Sequence, residues 1–201
     1  MNSPIARRFN HRAARYDNSL TSFMGELELR QVRKLVPQGS RVLDYGCGTG
    51  RTTLDLLRRS CSVTAYDISE GMLSQAKVKS QEMGWEAEFL TDPTELNGRT
   101  WPMMTCIGVL DYYPDPLPLL RTLCQLLEDS GSLVITFPNA WNPIGWFYML
   151  GSQFTVPAIA RTPGFVRLVV QSAHLRITRL LYALPSLAPI GYTMILALEK
   201  C

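Results

Sequence analysis

An acid followed by three alternating glycines, Asp44-Tyr45-Gly46-Cys47-Gly48-Thr49-Gly50, holds more chemistry than any other stretch of this sequence. Glycine tolerates positive φ and lets another molecule approach bare backbone. An apolar run, Arg41-Val42-Leu43, leads into the acid, and a helix-forming run, Arg51-Thr52-Thr53-Leu54-Asp55-Leu56-Leu57, follows the loop. A strand, a glycine loop and a helix in that order bring a polar ligand to the carboxyl end of a parallel strand. The segment therefore reads as a site for a nucleoside-containing cofactor.

Spacing narrows the choice. The dinucleotide fingerprint G-x-G-x-x-G/A finds its first two glycines in Gly46 and Gly48, but its third place falls on Arg51. A phosphate loop needs a Gly-Lys-Ser/Thr end, which is missing. An acid ahead of the loop repels a pyrophosphate and suits a ligand carrying an amine. A second acid, Asp67, ends the next apolar run, Cys61-Ser62-Val63-Thr64-Ala65-Tyr66, 21 residues after Gly46. There a carboxylate can accept hydrogen bonds from both hydroxyls of a ribose.

With these motifs the chain resembles the class I S-adenosylmethionine-dependent methyltransferases, in the small-molecule branch that includes the ubiquinone-type enzymes. The resemblance runs from Phe9 to Lys200. It rests on the glycine loop, on Tyr66-Asp67-Ile68-Ser69 with Met72, on Asp92, and on Gly108-Val109-Leu110-Asp111-Tyr112-Tyr113. It implies S-adenosyl-L-methionine as cofactor; no Asp/Glu/His cluster in the sequence suggests a metal. Asp44 then takes the methionine amino group, Asp67 the ribose and Asp92 the adenine amino group. Gly46, Cys47, Gly48, Gly50, Ile68, Met72 and Cys106 line the cofactor, and Tyr16 closes over it. Each acid has a plain alternative: Asp44 a turn or cap residue, Asp67 an exposed strand end, Asp92 a turn and helix start. Met72 reads equally as core.

The implied reaction is direct displacement at the sulfonium methyl, on a small apolar or aromatic acceptor. Such a reaction needs alignment and exclusion of water more than it needs a base. No base is assigned. The candidates are Tyr112, where relatives often carry histidine, and His11; tyrosine is a poor base at neutral pH. The other histidine, His174, reads as a surface or capping residue. The acceptor pocket is expected within 138–165, from Asn139, Trp146 and Phe147 among the aromatics of 141–148, a segment that reads equally as a helix packed on the sheet. Trp101-Pro102 stand where relatives carry Phe-Asp, which puts the start of that strand in doubt. Two other functions stand beside this one. They are an NAD-type oxidoreductase, opposed by Arg51 and Asp44, and a non-catalytic S-adenosylmethionine-binding partner subunit.

The elements that must position these residues follow from periodicity. Strands are expected near 41–45, 62–67, 86–90, 103–108, 132–137, 175–182 and 191–198, and helices near 50–59, 69–83, 115–129 and 163–173. Strands alternating with helices imply a parallel sheet. The short link broken by Pro185, Pro189 and Gly191 turns the last strand antiparallel. The expected fold is α/β: a Rossmann-like, doubly wound, seven-stranded sheet, mostly parallel, in one domain over 1–201. Residues 1–36 form a helical cap and 138–165 a substrate lid.

The composition fits a globular domain: 201 residues, 46% hydrophobic, with a net charge of +3. Five scattered cysteines form no C-x-x-C pair, so neither a disulfide framework nor a zinc site is indicated. The amino terminus lacks the apolar segment of a signal peptide, and a cytoplasmic location is expected. Residues 1–36 carry seven Lys/Arg against three Asp/Glu, 37–130 eight against thirteen, and 131–201 five against one. The apolar, basic ends read as a solvated surface with uneven salt-bridge partners, or as peripheral contact with an anionic membrane or an anionic substrate. The small excess and the missing Asn/Asp-Pro-Pro-Tyr/Phe motif oppose nucleic acid. The uncharged stretches 130–160 and 180–198 are broken by prolines and read as strand, loop and strand rather than as membrane spans. The oligomeric state is left open.

Overall fold

The structure is a computed structural model, and it describes residues 4–13, 19–142, 158–183 and 193–201. Two helices, α1 (Pro4–Arg12) and α2 (Ser19–Val32), precede the sheet. Then come β1 (Arg41–Tyr45), α3 (Arg51–Arg58), β2 (Ser62–Tyr66), α4 (Glu70–Glu82) and β3 (Glu88–Leu90). A 3-10 turn (Pro93–Leu96) leads to β4 (Trp101–Cys106), and a second (Leu110–Tyr112) leads to α5 (Leu117–Leu126) and β5 (Leu127–Pro138). The chain ends with α6 (Pro163–Ser172), β6 (Leu175–Tyr182) and β7 (Thr193–Lys200).

The seven strands lie in the order β3-β2-β1-β4-β5-β7-β6. Pairing from β3 to β5 is parallel, and β7 runs antiparallel to both β5 and β6. This is the mostly parallel sheet with an antiparallel last strand that the sequence predicts. Strand order reverses between β1 and β4, which puts the ligand crevice of such a sheet beyond their carboxyl ends.

Both faces of the sheet are covered, so its central strands are buried along their length. Alternation divides them between two cores. Leu43, Met104, Leu133, Ile135 and Leu196 pack with α5 and α6 through Leu120, Leu123, Val166 and Val170. Val42, Met103, Val63, Val134 and Ile195 pack on the other face with Val32, Leu56 and Leu73.

Two boundaries differ from expectation. The fifth helix stops at Leu126, because fully buried Leu127 pairs beside Trp101 and draws the chain into strand early. Trp101-Pro102 open β4 rather than disturb it. Trp101 is buried under the Arg99 guanidinium, 4.9 Å from the ring centroid. Pro102 sits at a register shift before the β1 pairing starts at Met103, a place where a missing N–H costs the ladder nothing. His174 takes a left-handed φ of 58° just past α6, with its N–H on Gln171 O and its carbonyl accepting from Cys201 N–H. It is a helix-ending residue, as expected. No helix among the described residues is long and apolar enough to cross a membrane.

Candidate cofactor and acceptor site

The glycine loop is folded by its neighbours. The Gly46 and Cys47 N–H groups both donate to Tyr66 O at 2.7 and 3.0 Å, and Gly50 N–H closes a turn on Cys47 O at 3.0 Å. All three glycines have positive φ, and each is needed differently. A Cβ on Gly46 would strike the Val109 side chain, and one on Gly50 would come within 2.9 Å of Ala76 Cβ. A Cβ on Gly48 would meet nothing within 4 Å. Gly46 and Gly50 therefore serve packing, whereas Gly48 presents bare backbone to open space. The observed cradle fits a cofactor laid against Gly48.

Two acids flank that cradle. Asp67 Oδ2 accepts from Gly48 N–H and Oδ1 from Ser69 N–H, both at 2.8 Å. The second acid thus ties the loop to the start of α4. Burial raises its pKa, and the two backbone donors pull it down in part. Each oxygen keeps a lone pair for a hydroxyl. Asp44 lies deeper, at 1% exposure. Its Oδ2 accepts from Thr53 Oγ1 at 2.6 Å and its Oδ1 from Thr105 Oγ1 at 2.8 Å. Burial pushes its pKa up to about 6 against the pull of those two hydroxyls. Neither threonine was singled out from sequence. Thr105 is readable only through register, because it stands directly opposite Asp44 across β1 and β4.

The other expected residues fall into several groups. Ile68 is half-buried against the core, Cys47 is buried, and Met72 and Cys106 are fully buried. Met72 N–H donates to Ser69 Oγ, the cap of α4. Asp92 is exposed and caps the turn Pro93–Leu96 through Thr94 N–H at 2.8 Å. That backbone bond holds its pKa below the usual carboxylate range, so the plain turn role is present whatever else Asp92 touches. Asn139 is fully buried, with Oδ1 accepting from Trp141 N–H at 3.1 Å. His11 is exposed on α1. Tyr16, Trp146 and Phe147 lie outside the described residues.

The amino-terminal helix is docked across this end of the sheet. Asn10 Oδ1 accepts from Ser69 Oγ at 2.7 Å and from Gly71 N–H at 2.9 Å, which caps α4 from another element. Phe9 meets Tyr112 edge-on at 5.1 Å. Behind it, Gly25 lets α2 pass directly over the Arg51 guanidinium, which ion-pairs with Glu28 at 3.0 Å. Arg51, at the place where a dinucleotide loop requires glycine, therefore fastens α2 to the start of α3.

Past β4, Asp111 is 9% exposed and its Oδ1 has no hydrogen-bond partner. The ends of the 138–165 stretch close on each other. Asn139 and Arg161 form a parallel bridge, with Arg161 N–H on Pro138 O and Ala140 N–H on Arg161 O. Ile159 N–H reaches Asp111 O at 2.8 Å.

Comparison with known proteins agrees with this geometry. A family model described as a methyltransferase domain matches residues 11–179. The ubiquinone biosynthesis O-methyltransferase of Xanthomonas axonopodis pv. citri is 30% identical over 110 residues, which are 53% of this chain and 46% of that protein. The protein of the same name from Marinobacter nauticus is 28% identical over 149 residues, 69% and 62% of the two chains. The chain thus spans about half the length of these curated relatives. Among solved structures, the magnesium protoporphyrin IX methyltransferase of Synechocystis, with S-adenosylhomocysteine bound, superposes with a TM-score of 0.73 at 20% identity, covering 98% of both chains. An O-methyltransferase of neocarzinostatin biosynthesis, in complex with S-adenosylmethionine and a naphthoic acid, gives 0.70 at 18% identity over 91% of this chain and 57% of that one. By the family match and the strand order together, this chain belongs to the class I S-adenosylmethionine-dependent methyltransferases.

Proposed function

We propose that the chain transfers a methyl group from S-adenosylmethionine, without a metal, to a small apolar or aromatic acceptor. The observation that carries the proposal is the open backbone at Gly48, held in place by the carboxylate of Asp67. Asp67 is assigned the ribose hydroxyls and Asp44 the methionine amine, with Asp92 near the adenine. When bound, the cofactor supplies a methyl on a sulfonium, an already good leaving group. The protein's share is to align the acceptor and exclude water. The helical cap of 1–36 and the lid of 138–165 are assigned to the acceptor side, beyond β4 and β5. A relative named for ubiquinone biosynthesis, and structural neighbours named for magnesium protoporphyrin IX or solved with a naphthoic acid, support a planar acceptor.

Titration calorimetry with S-adenosylhomocysteine in excess chelator tests the cofactor assignment. A one-site isotherm is expected. Silence there, with a response to NAD, would overturn it in favour of an oxidoreductase.

A further inference from the structure

Among the described residues, two buried carboxylates stand outside the assignments above, Asp55 and Asp111. Asp55 is paired with Arg33 and Arg58. Asp111 begins no strand and caps no helix. It sits in the 3-10 turn Leu110–Tyr112 just after the carboxyl end of β4, the end at which the ligand crevice of such a sheet opens. It is more than nine-tenths buried, yet Oδ1 lacks a hydrogen-bond partner. A buried carboxylate oxygen without a donor is costly, and such a group persists where a ligand supplies the missing donor. The backbone around it is fixed. Tyr112 is held by Phe9, the Asp111 carbonyl by Ile159 N–H, and the carbonyls of Tyr113 and Pro114 by Arg161 Nη2 at 3.0 and 2.6 Å.

We propose that Asp111 is the catalytic base, its free Oδ1 receiving the hydroxyl of the acceptor. This rests on the small-acceptor methyltransferase reading and narrows the acceptor to an O–H compound. The acceptor O–H bond breaks toward Asp111 Oδ1 while its oxygen lone pair forms the new O–C bond. The pair of the broken C–S bond stays on sulfur, the sulfonium charge is discharged, and the proton leaves Asp111 for solvent after product release. Burial, and then the nearby Glu28 carboxylate, raise Asp111 to about 7, where a base serves best near neutral pH. The charged and titratable groups facing it are Glu28 from α2, Arg51 from α3, which opposes the rise, and the Cys106 thiol at the end of β4.

The test compares wild type with Asp111→Asn, with S-adenosylmethionine and two probes: catechol, a weakly acidic hydroxyl, and 4-nitrocatechol, already ionised near neutral pH. Turnover of catechol should fall about 100-fold in the variant, and turnover of 4-nitrocatechol by less than about threefold. Calorimetry on the S-adenosylhomocysteine complex should show catechol binding about tenfold more weakly, with cofactor affinity unchanged. Equal losses on both probes would make Asp111 a shaping residue and overturn the proposal. So would a wild type that binds cofactor yet makes neither methyl ether. A wild type that binds no cofactor would instead overturn the methyltransferase reading itself. If Asp111→Asn does not fold, Glu28→Gln serves. Removing the neighbouring negative charge should move the acidic limb of catechol turnover to lower pH, and an unmoved limb would overturn the proposal.

Discussion

Replacing Asp44 by asparagine should make the cofactor-free protein more stable and the cofactor complex weaker. Asp44 is 1% exposed, and burial raises its pKa from an ordinary 3.8 to about 6. A folded-state pKa above the unfolded one means that the group favours folding when protonated. Its contribution is fully present below about pH 4 and is lost as pH rises through about 6. At neutral pH the charged form therefore costs the apo protein about 3 kcal/mol, at 1.36 kcal/mol for each factor of ten. The amide is neutral at every pH and still offers Thr53 or Thr105 an acceptor. For a chain of this length, about 3 kcal/mol corresponds to a rise in melting temperature of roughly 6–12 °C. Thermal scans of both apo proteins from pH 4 to 8 should diverge as pH rises through 4 to 6 and run parallel above. Calorimetry with S-adenosylhomocysteine should show a loss of about 1.5–3 kcal/mol, the worth of a hydrogen bond to a charged group. Parallel scans across the whole range, or a less stable variant at pH 7.5, would refute the claim that Asp44 is buried at a cost for the sake of its ligand.

Asp67→Asn should weaken S-adenosylhomocysteine by about 2 kcal/mol, because the amide leaves one acceptor oxygen for the work of two; unchanged affinity by calorimetry would reduce Asp67 to a loop tie. In Gly48→Ala, a left-handed alanine should cost about 1–2 kcal/mol of stability while its methyl enters the open cradle. Affinity should then fall further than stability does, and retained binding would put the cofactor elsewhere. Asp55→Ala should lower stability in urea by about 2 kcal/mol, because it removes the carboxylate that Arg33 and Arg58 meet at 2.7 and 2.8 Å and leaves Arg33 only Glu26, at 2.9 Å; a loss below about 0.5 kcal/mol would show that Glu26 and solvent already support them.

What the sequence revealed was local. Asp44, the glycines and Asp67 sit on strand ends and a loop whose geometry follows from spacing, so their places were readable. The alternation of strand and helix was enough to order most of the sheet. Contacts between distant segments carried no such signal. Thr105 matters because parallel register sets it across from Asp44, and Asn10 because α1 lands on the start of α4 some 59 residues away. Asp111 stood inside a quoted motif, but nothing local marked it as buried. What reaches it comes from afar in sequence, Glu28 of α2 beside its carboxylate and Ile159 on its carbonyl. Trp101-Pro102 read as a departure because the bulge that accommodates the proline is a property of pairing with β5.

The clasp between Asn139 and Arg161 has a consequence for how such a chain can diversify. The backbone leaves the sheet at Pro138 and returns at Arg161 through hydrogen bonds to the same short stretch. Between two points of the backbone held together in this way, doubling the length of a connection adds only about 0.6 kcal/mol of closure entropy. The stretch between the clasp residues can thus be exchanged as a cassette, with β5, α6 and the cofactor cradle left as a constant chassis. On the proposed assignment of 138–165 to the acceptor, grafting that cassette between relatives should change acceptor choice and leave cofactor affinity in place.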